Sequence, residues 1–114
     1  MKPLRIGIVG AQFAAHLHLQ NYRPLRGTRV EIPAIASRTK ARAEEVAGRF
    51  NIPNVLDDYR HLLDRRDIDV VDLCVPTDLH HEFIIQAARA GKHIICEKPL
   101  TGYFGKDRPE ELVG

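Results

Sequence analysis

A chain of 114 residues is one domain by length, long enough to bury a single core of roughly two thirds of its unfolded surface. Its composition, 44% hydrophobic and 28% charged, is that of an ordinary soluble globular protein, and a net charge of +2 argues against nucleic acid or an anionic membrane as partner. No apolar run approaches the roughly 18 residues of a spanning helix, and the N-terminal apolar run leads into a strand pattern without a small-residue cleavage site, so no anchor or signal peptide is expected and a cytoplasmic location is.

Strand and helix patterns alternate along the chain. Leu4 to Val9 is a continuous apolar strand, and Phe13 to Tyr22 reads as a helix. Pro24 and Gly27 break the chain before a second strand, Val30 to Ala36. Pro33 lies inside that strand and cannot donate to the ladder, so a bulge or local distortion is expected there. Thr39 is placed to cap the next helix, whose buried face is Ala43, Val46, Ala47 and Phe50 at i, i+3, i+4, i+7 spacing. Asn51-Ile52-Pro53 stops it, and Asn54 to Leu56 forms a very short third strand. Asp57 is then expected to cap a helix carrying Tyr59, Leu62 and Leu63. Val70 to Val75 is a fourth strand. Pro76-Thr77-Asp78 opens a helix with Leu79, Phe83, Ala87 and Ala90 or Gly91 on its buried side, and His93 to Cys96 is a fifth strand. After Leu100 the chain turns polar, with one short helix expected from Arg108 to Val113.

This alternation implies βαβ units and an α/β fold: a doubly wound, Rossmann-like parallel sheet of about five strands in the order 3-2-1-4-5. Residues 1–100 are assigned to that domain and 101–114 to a polar tail. The two cysteines, Cys74 and Cys96, each sit in an apolar run and read as buried reduced thiols, with a disulfide or a metal pair as the other readings. No CxxC or Cys/His spacing points to zinc.

In such a sheet ligands bind outside the carboxyl ends of the strands, where strand order reverses. Four loops there carry unusual residues. In Gly10-Ala11-Gln12-Phe13-Ala14-Ala15, Gly10 permits a tight turn, Ala15 lets the helix pack close to the sheet, and the helix N-terminus offers free N–H groups to a pyrophosphate. The dinucleotide fingerprint G-x-G-x-x-G/A has glycine where this chain has Gln12, whose side chain could clash with a ligand or bond to it. The same letters also serve plain helix packing. In the second loop, Ser37 and Arg38 stand where an acidic residue would meet a free ribose 2′-hydroxyl; they suit a 2′-phosphate and favour NADP over NAD. The other reading of Arg38 is a solvated loop arginine. The third loop, Pro76-Thr77-Asp78-Leu79-His80-His81, is also readable as a plain helix start, and its adjacent histidines point to different sides of a helix, against a metal site. The fourth, Glu97-Lys98-Pro99, follows a buried strand; there a lysine can bond a substrate hydroxyl or the nicotinamide ribose, the other reading being a loop ion pair.

Together these residues resemble the Gfo/Idh/MocA family, the glucose–fructose oxidoreductases, inositol dehydrogenases and their relatives. The resemblance is carried by "IGIVGAQFAAHLH", "ASRTKARAEEVA" and "VPTDLHHEFIIQAARAGKHIICEKPL" and by their spacing, and it covers nearly the whole chain. It implies an NAD(P)-dependent oxidoreductase acting on CH–OH groups of sugars or polyols. It also implies that Gly10, Gln12, Phe13 and Ala15 lie in the pyrophosphate turn, Ser37 and Arg38 at the adenosine ribose, and Pro76, Thr77 and His80 toward the nicotinamide. Glu97 and Lys98 match the family's dinucleotide and substrate contacts, Lys98 being the expected catalytic residue, and His18 matches a family histidine given a structural role. The resemblance implies chains roughly two or three times this length, with a second domain that supplies the substrate pocket, the acid/base residues and most of the oligomer interface. A chain without that domain is expected to have no turnover alone and to expose the edge strand Ile94-Ile95-Cys96 to self-association. Two alternatives stay open: a non-catalytic protein that binds nucleotide or assembles with a separate partner, and a remnant that binds nothing.

Overall fold

The computed structural model describes residues 2–75 and 80–96, without the side chains of Phe13 and His80. The elements run β1 (Leu4–Val9), α1 (Phe13–Tyr22), a 3-10 turn (Arg23–Leu25), β2 (Val30–Ala36), α2 (Lys40–Phe50), β3 (Asn54–Leu56), α3 (Tyr59–Leu63), β4 (Val70–Leu73), α4 (His80–Arg89) and β5 (His93–Cys96). The sheet has five strands in the order β3-β2-β1-β4-β5, and every neighbouring pair is parallel. This is the doubly wound order expected from the βαβ alternation. The crossover from β3 to β4 reverses the direction of winding, so the point where order reverses lies beside β1.

The central strands β1, β2 and β4 are covered on both sides, which explains why their residues are mostly buried in continuous runs rather than alternately. Ile6, Ile8, Val30, Ile32, Ile35 and Val70 pack with Ala15 and Leu19 of α1 and with Ala43, Val46, Ala47 and Phe50 of α2. Val9, Ala34, Ala36, Val71 and Leu73 pack on the opposite face with Leu62, Leu63, Phe83 and Ala87 of α3 and α4. Between Arg5↔Glu31 and Gly7↔Ala34 the β1–β2 register slips, so Ile6 faces both Ile32 and Pro33. The irregularity expected at Pro33 is there, and it inverts the alternation: Val30 and Ile32 share a face with Ile35, not with Ala34.

Gly7 marks a close approach in mid-strand. A Cβ there would lie 2.7 Å from Leu62 Cδ2 and 2.8 Å from Ile68 Cδ1, so its absence lets the short helix α3 sit against β1. α2 ends at Asn51, which takes the left-handed conformation (φ 57°) while the Ile52 amide donates to Ala47 O at 2.9 Å.

Four local expectations are corrected. Thr39 occupies the cap position of α2, but its side chain makes no capping bond; its amide donates instead to Ser37 Oγ at 3.1 Å. The cap of α3 is Asp58 rather than Asp57, with Asp58 Oδ1 accepting from the Arg60 amide at 2.9 Å. β4 ends at Leu73, two residues short of Val75, although the Cys74 amide still donates to Val9 O at 2.7 Å. Ala90 and Gly91 are exposed; Gly91 (φ 77°) terminates α4 instead of packing beneath it. The expected helix opening at Pro76-Thr77-Asp78 and helix from Arg108 to Val113 lie outside the described residues. No described helix is long and apolar enough to cross a membrane.

Candidate functional site

At the carboxyl ends of β1, β2 and β4 the loops diverge around a cleft of about 400 Å³. Its floor is the Gly10 turn. Gly10 has φ 107°, and a Cβ there would fall 2.1 Å from Cys74 O, so only glycine fits between β1 and β4. The Gly10 amide donates to Ala36 O at 2.8 Å and fixes the turn against the end of β2. Gln12 is the extended residue before α1, and its side chain makes no capping bond. It lines the cleft and is exposed. α1 therefore presents its first-turn amides toward this end of the sheet without a side-chain cap or an acidic residue to occupy them.

Ser37, Arg38, Thr39 and Arg42 form one wall. Arg38 and Arg42 have no ion-pair partner among the described residues. Arg42 lies in the first turn of α2, beyond the loop that carries Arg38, and lines the same cleft; nothing in the loop sequence signals it. The facing wall is Asp57, Asp58, Tyr59 and Arg60, closed by Glu82 and Phe83. Tyr59 meets Phe83 edge-to-face at 4.2 Å and 75°, giving the wall a rigid aromatic section. Arg60 clasps Asp58 through Nε and Nη2 at 3.1 and 2.8 Å. The Arg60 side chain, then its amide, holds the Asp58 carboxyl down at about 2.

The structure thus brings Gly10, Gln12, Ser37 and Arg38 to one cleft. Ala15 is fully buried on the inner face of α1 and does not line the cleft. α1 begins at Phe13 and α4 at His80, and Pro76, Thr77, Glu97 and Lys98 lie outside the described residues.

Behind the Gly10 turn, α1 is tied to β4 by a buried polar cluster. His18 Nδ1 lies 2.8 Å from both oxygens of Asp72, and the Tyr22 hydroxyl donates to Asp72 Oδ2 at 2.5 Å. Cys74 Sγ lies 3.4 Å from His18 Nδ1 and from Asp72 Oδ1. His18 and Tyr22 are four apart on one helix face, and Asp72 and Cys74 are two apart on one side of the sheet. Among the described residues Asp72 is the one buried charged group of the core, with no exposed surface. Burial, then the bond to Asp72, pushes the Tyr22 hydroxyl well above the ordinary phenol range.

Residues 4–108 match a family model described as Gfo/Idh/MocA, an oxidoreductase family with an NAD-binding Rossmann fold. A levoglucosan dehydrogenase of Pseudarthrobacter phenanthrenivorans is 41% identical over 107 residues, which are 89% of this chain and 27% of the relative. A dTDP-3,4-didehydro-2,6-dideoxy-alpha-D-glucose 3-reductase of Saccharopolyspora spinosa is 45% identical over 101 residues, 88% of this chain and 30% of the relative. Among solved structures, the 3-ketoreductase KijD10 of Actinomadura kijaniata, in complex with TDP-benzene and NADP, superimposes with a TM-score of 0.81 at 36% identity, over 98% of this chain and 34% of that one. A levoglucosan dehydrogenase in complex with NADH superimposes with a TM-score of 0.77 at 38% identity, over 88% of this chain and 28% of that one. The chain spans about a third or less of the length of these relatives. With the sheet order and the glycine turn in agreement, the chain belongs to the Gfo/Idh/MocA oxidoreductase family and corresponds to its NAD-binding Rossmann domain.

Proposed function

We propose that this chain is the cofactor-binding half of an oxidoreductase acting on a sugar or polyol, with NADP favoured over NAD. The observation that carries this reading is the cleft in which the Gly10 turn and the N-terminus of α1 face two arginines, Arg38 and Arg42, that have no ion-pair partner among the described residues. A dinucleotide fits these residues. The turn admits no Cβ at Gly10, so backbone rather than side chain faces the pyrophosphate. Ser37, Arg38 and Arg42 supply a hydroxyl and two guanidinium groups for a 2′-phosphate. Pro76, Thr77 and His80 follow β4 toward the nicotinamide end, and Glu97 and Lys98 follow β5. The nicotinamide ring supplies hydride transfer when bound. Lys98 bonds the reacting hydroxyl and lowers its pKa, and Glu97 holds Lys98 in place. Hydride transfer needs a substrate oriented against the ring, and in this reading a substrate domain outside residues 1–100 provides that. The sugar specificity named for the relatives supports the substrate class. A cytoplasmic location and self-association through the β5 edge, where Ile95 is 38% exposed, belong to the same proposal.

Gln12 favours a second reading. It lines the cleft at the point where the fingerprint has glycine, and a side chain there can exclude the pyrophosphate. The chain would then be a degenerate remnant that binds no dinucleotide. Titration of NADPH and NADH into the purified chain, followed by nicotinamide fluorescence, separates the two. The first reading expects micromolar NADPH binding that Arg38→Ala weakens more than NADH binding. Absence of binding by the folded wild type, restored by Gln12→Gly, establishes the second.

A further inference from the structure

The cluster between α1 and β4 has the composition and the spacing of a metal site. His18 Nδ1, Asp72 Oδ1 and Cys74 Sγ come from positions 54 and 56 residues apart in sequence, yet all three atoms lie within 4.8 Å of one another. A tetrahedral zinc ion with ordinary bond lengths sets its N, O and S ligands roughly 3.3–3.6 Å apart. The two contacts of Cys74 Sγ, 3.4 Å each, already have that length. The His18–Asp72 contact, 2.8 Å, must open by about half an ångström, within reach of a change in side-chain torsion.

Charge balance agrees with the geometry. A carboxylate with no exposed surface needs compensation, and the cluster supplies it with donors: the ring of His18, the thiol of Cys74 and the hydroxyl of Tyr22. We propose that His18 Nδ1, Asp72 Oδ1 and Cys74 Sγ bind one divalent ion of the zinc class, which pins α1 to β4 behind the glycine turn. The ion takes the place of protons. Cys74 loses its S–H proton to solvent and forms an S–metal bond, and His18 binds through Nδ1 as the neutral imidazole with its ring proton on Nε2. Tyr22 stays protonated and keeps its hydrogen bond to Asp72 Oδ2, orienting the carboxylate from outside the coordination sphere. The three ligands leave the fourth coordination position to a further donor. A thiolate and an imidazole with a single carboxylate discriminate against magnesium and calcium, which require a cage of oxygens.

The test is addition of cobalt(II) to the reduced, chelator-treated full chain, read by absorption. The proposal expects a thiolate-to-cobalt charge-transfer band in the near ultraviolet and the visible bands of a four-coordinate ion. Zinc should displace both, and magnesium in large excess should displace neither. Cys74→Ser, a near-isosteric change, should abolish the charge-transfer band, and Cys96→Ser should leave it intact. Zinc should raise the melting temperature of the wild type by several degrees and that of Cys74→Ser by none. A folded wild type that gives no charge-transfer band, or a band that survives Cys74→Ser or disappears in Cys96→Ser, overturns the proposal. The readout is independent of dinucleotide binding, so it stands or falls separately from the proposed function.

Discussion

The two ends of the sheet use their positive charges differently. At the amino end four cations are engaged with the protein itself. Arg5 grips Asp69 through Nε and Nη2 at 3.0 and 2.8 Å, and Arg65 grips Asp67 at 2.8 and 2.7 Å. Lys92 Nζ donates to the carbonyls of Arg65 and Ile68 at 2.6 and 2.7 Å, and Arg26 donates to those of Phe50 and Asn51. At the carboxyl end Arg38 and Arg42 lack such partners among the described residues, beside a helix terminus that adds further positive potential. A satisfied charge holds loops together, whereas an unsatisfied one at a concave surface awaits an anion. Two of the second kind, Arg38 and Arg42, meet at one cleft at the end where strand order reverses.

The largest effect on this contrast should come from Gly10→Ala. The substitution forces a side chain into a left-handed turn and against Cys74 O, at a cost of roughly 2–5 kcal/mol. Urea unfolding should show that loss, and any surviving folded protein should bind dinucleotide poorly. Next is Lys92→Met at the opposite end. It strands two carbonyls and should cost about 1–3 kcal/mol of stability, with dinucleotide affinity at saturating fold unchanged by calorimetry. Arg42→Ala should do the converse: stability within about 0.5 kcal/mol of wild type and NADPH affinity about tenfold weaker, with a smaller loss for NADH.

The smallest effect is at Asp58. Arg60 lowers its pKa from 3.8 to about 2, so the bond stabilises the fold fully above about pH 4 and is lost as pH falls toward 2. The difference in urea midpoint between wild type and Asp58→Asn should therefore narrow across that window and stay constant at neutral pH.

The elements most legible in the sequence were those defined by periodicity and by backbone chemistry. The buried face of α2 follows from the spacing of Ala43, Val46, Ala47 and Phe50, and the β1–β2 irregularity from the missing donor of Pro33. Caps were less legible, because Asp57 and Asp58 are chemically identical and only the backbone path decides which accepts the Arg60 amide. The site divides the same way. Gly10, Gln12, Ser37 and Arg38 stood out because each sits in a loop that directly follows a strand. Arg42 did not, since it stands a helical turn beyond its loop and its approach depends on how α2 is set on the sheet. The union of Asp72 with Tyr22, His18 and Cys74 is a product of the β1–β4 adjacency, and nothing local in "VVDLC" signals it.

The slip at Pro33 acts on β2 as a frameshift acts on a message. Up to Ile32 the strand reads large residues toward α1 and α2 on even numbers; beyond it the frame is odd, and Ile35 takes up that duty. The even positions that follow, Ala34 and Ala36, now point at α3 and α4 and are small. The phase in which β2 hands its chain to Ser37 and Arg38 is therefore decided not at the cofactor end but at one proline several residues upstream.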